Sequence, residues 1–183
     1  MEVYFATSNS YKFEEAQKIL PNIKRFIFKH IEIRSEKPEE IALEAVNSAY
    51  RLLKKPVFVE DTGLFIESLN GFPGTYSGWT SKKIGNSGII RLLKGIKQRE
   101  AYFKTSIAFR DKDVTKNFRG LCKGIICSEE RGFGGFGYDS IFIPSGYSKT
   151  FAEDLTAKKQ ISHRTKAIIK LRNFLAANKL RKD

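Results

Sequence analysis

Two cysteines, two histidines, one tryptophan and one methionine are all that 183 residues contain of those four types. Neither a disulfide framework nor a zinc site can be assembled from Cys122, Cys127 and two histidines. In a strand, an offset of five would turn the cysteines to opposite faces, so both are expected to be reduced structural residues. No apolar stretch is long enough to cross a bilayer. The start, Met1-Glu2-Val3-Tyr4-Phe5, has an acid where a signal peptide carries basic residues. These absences lead to the expectation of a soluble cytoplasmic protein without a membrane partner. No GxxxxGK[ST] run occurs, so the chain is not a P-loop protein. Repeats and low-complexity segments are absent as well.

What is present is a chain 41% hydrophobic and 29% charged, whose residues 1–183 are enough for one domain with a substantial core, or for two lobes sharing one sheet, with no independent second domain expected. A net charge of +13 and a pI near 9.7 favour anionic partners, although a uniformly basic proteome would leave the same mark.

The chain is organised around Phe58-Val-Glu-Asp-Thr-Gly-Leu-Phe65. Val57, Phe58 and Val59 favour a buried strand, whereas Glu60 and Asp61 are costly to bury without cations or donors beside them. A charged pair at a strand end suggests a site.

Residues 1–6 read as a short strand, and Thr7-Ser-Asn-Ser-Tyr-Lys12 precedes a helix carrying Phe13, Ala16 and Leu20 on one face. A strand-to-helix turn directs backbone N–H groups and the positive helix end toward an anion. Thr7, Ser8, Asn9 and Ser10 add donors and Lys12 a charge; the same residues would also serve as a plain helix cap. Residues 23–34 read as a second strand, with Phe26 and Phe28 on one face and Ile27, Ile31 and Ile33 on the other. Pro38 sits early in a helix with the stripe Ala42, Ala45, Val46, Ala49 and Leu53. Strand, helix, strand, helix, strand is the order of an α/β sheet, with ligands beyond the carboxyl ends of its parallel strands.

Gly63 is expected to let the chain turn sharply toward the glycine- and aromatic-rich loop 71–79. A helix bearing Ile84, Gly88 and Leu92 follows. Two long strands, about 101–111 and 114–128, joined at Asp111–Asp113, make the sheet mixed. Residues 131–139 hold four glycines and three aromatics, suited to a flat ligand or simply to a loop with buried rings. The segment from Thr150 carries nine Lys/Arg against three acids and ends in a helix with Ile168, Leu171 and Leu175 on one stripe, for which Ser162 is an expected N-cap. Lys158, His163 and Arg164 read as an anion-facing cluster. Cations in the first turn of that helix oppose its dipole, a conflict that a bound anion would remove.

Five of these pieces in order, Thr7–Lys12, Glu60-Asp-Thr-Gly63, Gly71-Phe-Pro-Gly-Thr-Tyr-Ser77, Phe136-Gly-Tyr-Asp139 and Ser162-His-Arg164, make the chain similar to the inosine/xanthosine triphosphate pyrophosphatase, or Ham1, family over nearly its full length. The chain departs from many relatives in having Ser8 in place of glycine and Thr62 in place of serine. The resemblance implies a mixed α/β fold with an elongated central sheet, two lobes and a nucleotide cleft, usually as a homodimer. It further implies Mg²⁺-dependent hydrolysis of ITP, dITP and XTP to the monophosphate and pyrophosphate, clearing deaminated purines from the nucleotide pool.

By residue, the resemblance assigns the triphosphate to Thr7, Ser8, Asn9, Ser10, Tyr11, Lys12 and Lys158, with Thr62 beside them. It places the base near Phe136, Gly137, Tyr138, Asp139, His163 and Arg164. The metal falls to Asp61 and an upstream acid, Glu32, with Glu36 as the other choice. Catalysis falls to Asp61, Glu60 and Lys12, and which of the two carboxylates is the base stays open. Arg164, or backbone N–H groups near it, would read the six-oxo group of the purine. The basic charge and segments such as Ala101-Tyr-Phe-Lys104 also suit a nucleic-acid-binding module, against which the acidic pair argues, so no stable nucleic-acid partner is expected. A Maf-like pyrophosphatase acting on modified pyrimidines is the third reading.

Overall fold

Short apolar strands alternate with amphipathic helices through the first third of the chain. A computed structural model describes residues 2–29 and 33–179. β1 (Val3–Ala6), α1 (Ser10–Gln17), β2 (Ile23–Phe26), α2 (Pro38–Leu53) and β3 (Val57–Ile66) follow in order. β1 pairs in parallel with β2, Val3 opposite Ile23, and with β3, Phe5 opposite Phe58. α2 opens on Pro38, whose missing N–H costs nothing there, and closes on Lys54 in the left-handed conformation. Its stripe Ile41, Ala42, Ala45, Val46 and Ala49 is buried.

A 3-10 turn at Glu67–Leu69, β4 (Pro73–Gly74), α3 (Ser77–Leu92), β5 (Glu100–Arg110), β6 (Thr115–Ile126), β7 (Phe142–Pro144), α4 (Leu155–Ile161) and α5 (His163–Lys179) complete the described elements. The strand order is β2-β1-β3-β5-β6-β7, with β4 on β3. β3–β4 and β6–β7 are antiparallel, so the seven-stranded sheet is mixed. The β5–β6 turn is held by Asp111, whose Oδ1 accepts from the amides of Asp113 (2.9 Å) and Val114 (2.7 Å).

Two compact units arise from this path. The first takes the described residues up to Asp61, with 105–120 and those from His163 on; the second takes Thr62–Lys104 and Leu121–Ser162. In the first unit Phe5 stacks on Phe58 at 4.4 Å, within a cluster that includes Phe109, Ile168 and Leu171. A separate cluster joins the α2 stripe to Val57, Val59 and Ala108. In the second unit Leu64, Ile66, Ile89, Phe103, Phe142 and Phe151 form the core, with Phe103 edge-on to Phe142 at 4.7 Å.

Three sequence expectations change, and one helix is added to them. The second strand ends at Phe26 rather than near residue 34, and residues 30–32 lie outside the described set. Glu60 and Asp61 lie within β3, not at its end, because the strand continues through Gly63 to Ile66. Gly63 serves close approach rather than a turn, since a Cβ there would meet the carbonyl oxygen of Gly74 at 2.4 Å. The segment before the last helix is itself helical, so Ser162, extended at φ −63° and ψ 156°, is the single residue between α4 and α5. Cys122 and Cys127 are both buried and form no disulfide, and Cys127 lies beyond the end of β6, where strand alternation no longer applies.

Candidate active site

In the first unit, β1 passes into α1 through Thr7, Ser8 and Asn9. Asn9 is the N-cap: its Oδ1 accepts from the Lys12 amide at 3.1 Å, while its own amide donates to Thr7 Oγ1 at 3.1 Å. The cap reading therefore holds for Asn9, and Ser8, Ser10 and Tyr11 are exposed at the positive helix end. From β2, Arg25 donates through Nε to the Thr7 carbonyl at 3.1 Å and through Nη2 to that of Ser8. Arg25 was not singled out from the sequence. It lies opposite Phe5 in the parallel register, a placement that strand pairing alone reveals.

With Phe5 opposite Phe58, extending the register by two sets Thr7 level with Glu60. The acids therefore stand just beyond the end of β1, beside the loop that follows it. Glu60 is fully buried at its side chain and is met by Arg164 from the first turn of α5. Arg164 Nε lies 3.0 and 2.8 Å from the two carboxylate oxygens, and Nη2 lies 2.8 Å from Oε1. Arg164 Nη1 reaches Glu15 of α1 at 2.6 Å, and Lys12 Nζ lies 3.4 Å from Glu60 Oε1. Burial would pull the Arg164 pKa down, but Glu60 and Glu15 outweigh that and hold it above the ordinary arginine value.

Two cations, Lys12 and Arg164, thus face two carboxylates, Glu15 and Glu60. Within the first unit the Glu60 and Glu15 carboxylates offset the conflict between Arg164 and the α5 dipole. Glu15 was missed, although its spacing of three from Lys12 puts the two on one face of α1. Asp61, half-buried, follows Glu60 on β3 and so projects from the other face of the strand. His163 is buried, and the start of α5 lies so close to β6 that a Cβ on Gly120 would stand 1.8 Å from the His163 carbonyl oxygen.

In the second unit the Phe136–Asp139 turn is closed by Asp139, whose Oδ2 accepts from the Phe136 amide at 2.7 Å and from Lys158 Nζ at 2.6 Å. Lys158 Nζ also lies 4.5 Å from the centroid of the Phe136 ring, a cation–π contact made with the ion pair almost wholly buried. Lys158, assigned to the triphosphate by resemblance, is therefore held with Phe136 and Asp139. Tyr138 is buried, with its hydroxyl donating to the Ser77 carbonyl at 2.8 Å, and burial pushes its phenol well above the ordinary value. Thr62, half-buried, is the first residue of this unit.

Glu32, the other candidate metal ligand, lies outside the described residues. Among the described residues there is no group of three or more His, Cys, Asp or Glu that could hold a metal. Nor is any helix of those residues long and apolar enough to cross a membrane.

A hydroxyl-bearing strand-to-helix loop, clamped by an arginine and set beside paired acids on the next strand, defines an α/β protein equipped to handle phosphate anions. Residues 3–174 match the Ham1 family, and the chain belongs to it. It is 44% identical to a dITP/XTP pyrophosphatase of Saccharolobus solfataricus, over 92% of this chain and 91% of that one. Against a dITP/XTP pyrophosphatase of Thermococcus kodakarensis it is 42% identical, over 97% and 99% of the two chains. Among solved structures, the Staphylococcus aureus Ham1 protein shares the fold with a TM-score of 0.85 and 32% identity, covering 97% of this chain and all of that one.

Proposed function

We propose that this chain hydrolyses non-standard purine nucleoside triphosphates, ITP, dITP and XTP, to the nucleoside monophosphate and pyrophosphate, so removing deaminated purines from the nucleotide pool. The names of its relatives support the substrate class. The observation that carries the chemistry is the register of the first unit, which sets the Thr7–Lys12 loop beside Glu60 and Asp61.

The triphosphate is held by the Thr7–Lys12 loop, whose hydroxyls, amides and Lys12 charge suit phosphate oxygens. Water attacks the phosphorus nearest the ribose, its proton passes to a carboxylate, and pyrophosphate leaves. Asp61 is our choice of base, because both oxygens of Glu60 are engaged by Arg164. The base of the substrate falls to Phe136, Gly137, Tyr138 and Asp139, with Lys158 and His163. Lys158 is a donor suited to the six-oxo group that inosine and xanthosine carry and adenosine lacks. Arg164 we assign chiefly to holding Glu60 and the start of α5.

Mg²⁺ takes one or two carboxylates and completes its shell with phosphate oxygens and water, so a carboxylate such as Asp61, beside the phosphate-side loop, suits it. Asp61 and Glu32 would hold the ion, which would supply positive charge to the phosphates. The enzyme is further proposed to be a cytoplasmic homodimer of one catalytic domain.

The deciding measurement is pyrophosphate release from ITP, dITP, XTP, ATP and GTP, with Mg²⁺ and with chelator. The expected result is a kcat/KM for ITP and XTP about a hundredfold above that for ATP, lost on chelation. Comparable values for all the nucleotides, or full activity in chelator, would sink the reading.

A further inference from the structure

α3 is broken once. Gly85 stands at φ 63° and ψ −171°, a conformation open essentially to glycine alone, and the helix resumes with Asn86. The break aims the Asn86 amide at the glycine-rich loop of the same unit. Its Nδ2 lies 3.0 Å from the Gly137 carbonyl, 2.9 Å from Ser140 Oγ and 3.2 Å from Glu130 Oε2. A carbonyl and a carboxylate can only accept, so the nitrogen, not the oxygen, of the Asn86 amide faces them. Ser140 donates its own proton to Glu130 at 2.8 Å, leaving its oxygen to accept from Asn86.

Gly137 is the residue between Phe136 and Tyr138, and its φ is +65°. Its peptide plane therefore sets how the Phe136 ring and Asp139 face one another across the turn. On the far side of Gly137, the Tyr138 hydroxyl is tied to the Ser77 carbonyl at the start of the same α3. The two segments of the broken helix thus hold successive residues of one turn.

We propose that Asn86 is a positioning residue for the nucleobase: by fixing the Gly137 carbonyl it holds the turn that presents Phe136, Asp139 and Lys158. This rests on the reading that Phe136–Asp139 receives the base. It assigns to α3, which carries none of the family motifs beyond Ser77, a part in substrate affinity that leaves the phosphate chemistry alone.

The test is steady-state kinetics of the full chain carrying Asn86→Ala, Asn86→Asp or Phe136→Ala, with ITP and XTP as substrates. Loss of one hydrogen bond of this kind is expected to raise KM about tenfold in Asn86→Ala while kcat stays within about twofold. Asn86→Asp keeps the shape of the side chain and lacks the amide protons, so it is expected to reproduce the rise. If Asn86→Ala does not fold, the aspartate variant carries the test. Hydrogen exchange of the peptide 134–140 is expected to quicken in both variants and to slow again on adding ITP. A raised KM in Phe136→Ala with wild-type KM in the Asn86 variants overturns the role of Asn86. No change of KM in Phe136→Ala overturns the base assignment itself, and the inference with it, whatever hydrogen exchange reports.

Discussion

Arg164 meets Glu60 edge-on, with Nε 2.8 Å from one carboxylate oxygen and Nη2 2.8 Å from the other, while Nη1 spans to Glu15 at 2.6 Å. The pair joins the first turn of the last helix to the strand that carries Asp61. Arg164→Ala takes from the buried Glu60 carboxylate the guanidinium that meets both its oxygens, and is expected to cost about 3–5 kcal/mol in a denaturant titration. A loss below about 1 kcal/mol would show that Glu60 finds other partners at no penalty.

Asp61→Asn keeps the volume of the side chain and removes its charge. Turnover of ITP should fall by about two to four orders of magnitude, with the thermal midpoint close to that of the wild type. Near-normal turnover in this variant would hand the role of base to another group.

Arg25 donates to two successive carbonyls of the phosphate-side loop. Arg25→Ala should loosen that loop and raise KM for ITP about tenfold or more, two hydrogen bonds being lost. An unchanged KM would mean that the Asn9 cap holds the loop without help.

Gly120→Ala places a methyl group 1.8 Å from the His163 carbonyl oxygen and 2.9 Å from the Ala167 amide nitrogen. Backbone on both sides cannot yield as a flexible side chain can, so a loss of about 1–3 kcal/mol or more is expected. Because α5 must shift to admit the methyl, activity should drop in parallel; a fully stable, fully active variant contradicts the close packing.

Glu153 is held below its ordinary pKa by the Thr150 amide and by Arg131, Glu2 by Lys24 and Tyr4, and Glu40 by Ser35 and Lys37. A lowered folded-state pKa means that the unfolded chain binds more protons in acid. The stability these groups contribute is complete above the unfolded carboxylate range, near 4.5, and is lost as pH falls through their lowered folded values. Thermal midpoints measured from pH 7 down to pH 3 should therefore fall on the acid side. A flat profile there would show that these exposed pairs add nothing.

The alternation of short β-rich runs with stripes such as Ala42, Ala45, Val46 and Ala49 was enough to read an α/β fold and a mixed sheet. Periodicity is local, and the α2 stripe is buried as it requires. The loop Thr7–Lys12 and the acids Glu60 and Asp61 were legible for the same reason, since residue types costly to bury stand out against apolar neighbours. α4 was not legible, being seven residues with four polar side chains and little apolar stripe.

Amino-acid sequence alone settled which residues carry the charge and where the chain alternates, because both depend on neighbours within a few positions. Tertiary structure alone decided what each charge does. Glu60 and Arg164, 104 positions apart, became one buried pair, and Lys158 was drawn to Asp139 and Phe136. Arg25, Gly120 and Asn86 acquired parts that no local pattern announces. The physical reason is that a buried charge or amide is satisfied by whichever donor or acceptor the strand register and helix packing bring within about 3 Å, and those distances are set across the chain, not along it.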